Sequence, residues 1–159
     1  MELNSKDRRF LTLAIETAKN NIKDGGGPFG AVVVSQGHII AQAGNRVVAS
    51  HDPTAHAEVE AIRLASSATG THDLSGCVIY SSCEPCPMCL GAIYWAGIKR
   101  IVYASDRYQA AASGFNDEMI YKELALEREK RSLTMDCGMK DEGDSVFRQW
   151  NDFPGKVLY

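Results

Sequence analysis

The chain has 159 residues, with 17 Lys and Arg against 20 Asp and Glu for a formal net charge of -3. That length fits one domain able to bury roughly two thirds of the surface its unfolded form exposes, and no run approaches the ~20 consecutive apolar residues of a membrane span. The acidic balance argues against a broad phosphate-binding surface, so nucleic acid is disfavoured as a partner and a small molecule is the expected ligand.

Residues 6–23, KDRRFLTLAIETAKNNIK, place Phe10, Leu13, Ala14, Thr17 and Ala18 on one helical stripe that stops at Asp24 before three glycines. GAVVVSQGHIIAQAGN then reads as two short strands around a tight turn at Gln36 and Gly37. Next come a helix from about 54 to 68, a buried strand CVIYS, a helix from about 87 to 96, and a second buried strand RIVYAS. Strand, helix, strand with short connections implies a right-handed crossover and parallel neighbours. From Arg107 onward the pattern is helical, with one weak strand near 131–136. The expected architecture is a single α/β domain over residues 1–159, a three-layer α/β/α sandwich around a mixed five-stranded sheet. The first residues, MELNSKDRRF, are charged and the five cysteines are odd in number, so a cytoplasmic setting is expected, with thiols free for metal or catalysis.

Gly25, Gly27 and Gly30 in GGGPFG satisfy GxGxxG, but the order of elements is reversed. The dinucleotide fingerprint needs a strand before and a helix after, whereas here a helix precedes and a strand follows, so the glycines form a flexible turn. Phe29, on that turn, is either a core-facing plug or a stacking ring.

SSCEPCPMCL spaces Cys83, Cys86 and Cys89 three residues apart. Pro87 suits a first helical position, which leaves Cys86 at the N-cap and Cys89 one turn in, where those two thiols can converge. Cys83 ends the preceding strand and would have to double back. The helix N-terminus also favours thiolate, the form that binds metal. Upstream, DPTAHAEVEAIRLA carries His56 after a helix-start signal with Asp52 or Thr54 as N-cap. Imidazole plus two thiolates suits zinc, and three protein ligands leave a fourth position for water, whose pKa the metal can lower from ~16 to about 7. Glu58 stands two residues from His56. Residues that far apart on a helix differ by about 200° around its axis, so the pair can serve one site only off the helix end. Each element alone is weak, but HxE followed by PCxxC is the signature of zinc deaminases, with the glutamate as unligated acid and base. Cys77 and Cys137 are expected to pack as small apolar residues.

At TAHAEVEAIRLA and CEPCPMCLGAIYWAGIKRIVYA the chain resembles the cytidine deaminase superfamily, and within it the small bacterial guanine deaminases. The likeness continues through GGPFGAVVV, NDEMIYKE and the terminal aromatic. The resemblance implies one zinc per subunit, a purine substrate, and a homodimer that exchanges a C-terminal segment of about residues 140–159. It implies attack of water at C2 of guanine, with Glu58 carrying the proton, and ring contacts from Asn45 and Asp117, with Phe29 lining the pocket and Tyr159 closing the site from the partner. Sequence alone leaves plainer roles open: Asn45 in a turn, Asp117 as a helix cap, Tyr159 as a frayed terminus. Guanosine, cytosine, cytidine and tRNA adenosine are rival substrates of the same superfamily, and a zinc-stabilised binding module without turnover is a rival of another class.

Overall fold

A computed structural model of the chain describes residues 2–158. The chain divides into two compact units, Met1–Asp117 and Glu118–Tyr159.

In the first unit, helix α1 (Ser5–Lys23) starts at Asn4, whose side chain accepts the Asp7 amide at 2.9 Å, an N-cap contact that fixes the first turn. Strands β1 (Gly30–Ser35) and β2 (His38–Gly44) form the expected hairpin, with Gln36 and Gly37 both at positive φ. After the short helix α2 (Val47–Ser50) come α3 (Ala57–Thr69), β3 (Cys77–Cys83), α4 (Pro87–Trp95), β4 (Arg100–Ser105) and α5 (Arg107–Ala112). The sheet order is β2-β1-β3-β4, antiparallel except for the β3–β4 pair, which is parallel as the strand, helix, strand reading requires.

Strand alternation sends each side chain to one of two covered faces. Val32, Val34, Tyr80 and Val102 meet Phe10, Leu11 and Ala14 of α1 on one side. Ala31, Val33 and Ile79 meet Ala57, Ala61 and Ala65 of α3 and Ile93 of α4 on the other. Three layers result, with β1 buried along nearly its whole length because helices lie over both of its faces. Gly30 lets α1 lie that close: a Cβ there would stand 2.4 Å from the Ala14 carbonyl.

The sheet has four strands among the described residues, not the expected five. Residues 131–136 are irregular. There the Ser132 amide donates to the Glu123 carboxylate at 2.8 Å and the Arg131 guanidinium donates to the Leu126 carbonyl, local bonds that compete with a ladder.

The second unit comprises α6 (Glu118–Ala125), a 3-10 turn (Arg128–Lys130) and α7 (Lys140–Asp152). None of its described residues is buried, and Val146, Phe147 and Trp150 of α7 are exposed. Cys137, expected to pack, is exposed, because the stretch that carries it has no core of its own; Cys77 is buried as expected. No helix among the described residues is long and apolar enough to cross a membrane.

Candidate metal centre and pocket

Two helix N-termini build the site. Cys86 caps α4, its sulfur accepting the Cys89 amide at 3.5 Å, and Pro87 takes the first turn as expected. The other start differs from expectation. The α3 helix begins at Ala57, and its N-cap is His56 rather than Asp52 or Thr54. The reason is local: Asp52 accepts both the Thr54 amide and the Thr54 hydroxyl at 2.7 Å, so DPT closes its own turn before the helix begins. This shift resolves the angular difficulty, since His56 stands in extended backbone outside the helix while Glu58 lies within its first turn.

His56, Cys86 and Cys89 come together. His56 Nδ1 lies 3.6 Å from Cys86 Sγ and 3.5 Å from Cys89 Sγ. Tetrahedral zinc with ordinary bond lengths spaces a nitrogen and a sulfur ligand about 3.5 Å apart, so these donors fit the ion. Cys83 stands apart from this group: its thiol faces the Asp106 carbonyl at 3.6 Å, and burial pushes it up to about 11.

Hydrogen bonds from Cys89 and His56 hold the Cys86 thiol far below its usual value. The same bond, with burial, pushes Cys89 up. His56 is raised by its hydrogen bond to Cys86. Glu58 is buried, which raises its carboxyl. Its two oxygens are engaged separately, Oε1 by the Ser81 hydroxyl at 2.9 Å and Oε2 by the Cys89 thiol at 3.4 Å.

A cavity of about 550 Å³ opens over this group. Phe29, Asn45, His56, Glu58, Cys86 and Asp117 line it, so the sequence-derived candidates converge on one space. Cys89 is fully buried beneath, and Tyr159 lies outside the described residues. Asn45 Oδ1 accepts the Val47 amide at 3.2 Å, and burial raises the Asp117 carboxyl. Sequence reasoning missed Phe115, Arg107 and Glu84 on the wall and Ser81 behind Glu58. Phe115 meets Phe29 edge to face at 4.9 Å between ring centres. Its place two residues before Asp117 was the signal that could have found it.

The family described as cytidine and deoxycytidylate deaminase zinc-binding region matches residues 4–105. The chain is 48% identical over 152 residues to guanine deaminase of Bacillus subtilis (strain 168), covering 96% of each. It superposes on the X-ray structure of a Bacillus subtilis guanine deaminase with a TM-score of 0.93, 46% identity and 99% coverage of both chains. A tRNA-specific adenosine deaminase of Agrobacterium fabrum is 42% identical, over 60% of this chain and 63% of its own.

Proposed function

The chain belongs to the cytidine and deoxycytidylate deaminase family of zinc-binding enzymes, and on that premise we propose that it hydrolyses guanine to xanthine and ammonia in the cytoplasm. The observation that carries the substrate is the end-to-end likeness to a guanine deaminase, because it spans 96% of both chains whereas the tRNA-directed relative is matched over 60% of this one. The whole chain, residues 1–159, acts in this reading as one deaminase domain.

His56, Cys86 and Cys89 hold one zinc per subunit. When bound, zinc supplies Lewis acidity that makes water ionise near neutral pH. Glu58 is the general base and acid: it takes one proton from water and delivers it to the purine ring nitrogen, where it stays, then carries the proton left on the added oxygen to the departing amine as the C2 carbonyl forms. A C2–O bond forms, the C2–N bond breaks, and nitrogen leaves as ammonia. Burial suits Glu58 to carry that proton, and the Ser81 hydroxyl leaves Oε2 facing the metal ligands. The Asn45 amide offers donor and acceptor, and the Asp117 carboxylate accepts from ring and amino N–H groups, which suits the protonated N1 edge of guanine better than the bare nitrogen of adenine. Phe29 and Phe115 supply the apolar wall.

The partner in this reading is a second copy, exchanging residues 140–159 so that Tyr159 closes the neighbouring site. Support comes from the second unit taken alone, whose apolar α7 side chains are uncovered.

Incubating zinc-loaded protein with guanine, guanosine, cytosine, cytidine and adenine, and assaying ammonia, tests the substrate. The highest kcat/KM is expected for guanine, with xanthine as product. A higher value for guanosine or a pyrimidine overturns the assignment.

A further inference from the structure

Asn21 lies in the last turn of α1 and does not itself line the cavity. Its side-chain nitrogen donates to two main-chain carbonyls, Gly27 at 2.8 Å and Asn45 at 2.9 Å. These belong to separate segments, the glycine turn before β1 and the residue after β2, and both Gly27 and Asn45 line the cavity. The Asn21 carbonyl adds a third tie, accepting the Gly26 amide at 2.8 Å. Room is kept for the amide on both sides. A Cβ on Gly26 would lie 2.4 Å from Asn21 Nδ2, and one on Gly44 would lie 2.4 Å from Asn21 Oδ1. Neither glycine has positive φ, so what the missing side chain provides is space for the amide rather than backbone freedom.

A primary amide nitrogen carries two hydrogens, and no other side chain of that length donates twice from one atom. The isosteric aspartate presents only acceptors when ionised. From this geometry we propose that Asn21 is a positioning residue for the purine: by bridging Gly27 and Asn45 it sets the separation between the glycine turn and the Asn45 side chain, and so the aperture that receives the ring. The proposal rests on the guanine deaminase reading for the identity of the base. Because Asn21 acts on the pocket rim and not on Glu58 or the donor atoms, its loss weakens binding of ground state and transition state alike.

The test uses full-length, zinc-loaded protein. Asn21→Asp is expected to raise KM for guanine roughly tenfold or more while kcat and zinc content stay within about twofold. The dissociation constant for 8-azaguanine, measured by calorimetry, rises in parallel, and amide hydrogen exchange quickens at residues 25–29 with the α1 core unchanged. Where Asn21→Asp fails to fold, Gly44→Ala, at a residue that does not line the cavity, displaces the amide without altering it and gives the same split between KM and kcat. An unchanged KM with only a lower melting temperature overturns the proposal, and so does a loss confined to kcat. Wild-type protein that turns over another base of the panel and not guanine overturns the substrate reading, while the KM comparison on that base still decides the role of Asn21.

Discussion

Asp7 and Glu58 are carboxylates buried almost equally, 3% and 5% exposed, on opposite faces of the same strand, and their surroundings push them in opposite directions. On the α1 face, Arg100 grips Asp7 with both guanidinium nitrogens, at 2.8 and 2.6 Å, and the Tyr80 hydroxyl donates at 2.7 Å. The Arg100 bonds hold that carboxyl down to about 2. On the α3 face, Glu58 meets a hydroxyl and a thiol rather than a cation, and burial raises it. Adjacent residues of β3 supply the two hydroxyls, Tyr80 to one face and Ser81 to the other. A charge that is paired is fixed and ties α1 to β4; a carboxyl whose burial outweighs its bonds to neutral donors can gain and lose a proton.

The strongest way to break this contrast is Glu58→Gln. The amide keeps the shape and cannot shuttle protons, so kcat for guanine is expected to fall roughly a thousandfold or more. Zinc content is expected to persist, because the ligand set does not include Glu58. Steady-state kinetics with metal analysis checks both, and a variant that keeps its activity refutes the role proposed for Glu58.

Asp7→Asn works on the other face and should act on stability alone. The amide keeps one oxygen for Arg100 and Tyr80 but removes the charge and turns the other oxygen, which Arg100 also binds, into a donor facing the guanidinium; the loss is about 2 kcal/mol, reduced from a fully buried pair because the Arg100 side chain is 45% exposed. The pH dependence has a definite sign. The folded carboxyl sits near 2 against an ordinary 3.8, so its contribution is complete above 3.8 and fades as pH falls toward about 2. Tyr80 limits the alkaline side: burial and Asp7 push it up to about 12 from 10, so its contribution is complete below 10 and is lost as pH rises toward 12. Urea unfolding should therefore separate wild type from Asp7→Asn between about pH 4 and 10 and bring them together near pH 2. Deamination at 25 °C should be unchanged.

The two faces also differ in how far the sequence disclosed them. The start of α4 was legible because capping is a local rule: Pro87 fixes the first turn, and with it the placement of Cys86 and Cys89, two of the candidate donors. The strands announced themselves through apolar runs bounded by turns. What stayed hidden was non-local. Arg100 reaches Asp7 across 93 positions, and Ser81 looks like any serine in a strand until Glu58, 23 positions away, is folded against it. The α3 start was misplaced because the DPT turn and a helix cap use the same residue types, and the fifth strand because Arg131 and Ser132 find local partners.

The finest test uses the two hydroxyls of β3 themselves. Tyr80→Phe removes a single donor to Asp7, with Arg100 still bound, and the phenyl ring keeps its packing 5.3 Å from Phe10. The expected loss is about 1 kcal/mol of stability with kcat intact. Ser81→Ala removes the donor to Glu58 Oε1 from a site that is 1% exposed. Little packing is lost there, but the carboxylate proposed to carry the proton is freed, and kcat should drop roughly five- to tenfold, equivalent to about 1 kcal/mol. Denaturation midpoints and kcat measured on both variants give a two-by-two comparison between neighbouring residues. If Tyr80→Phe slowed turnover as much as Ser81→Ala, the division between a fixed face and a reactive face would not hold, and the sheet would be transmitting strain from α1 to the pocket.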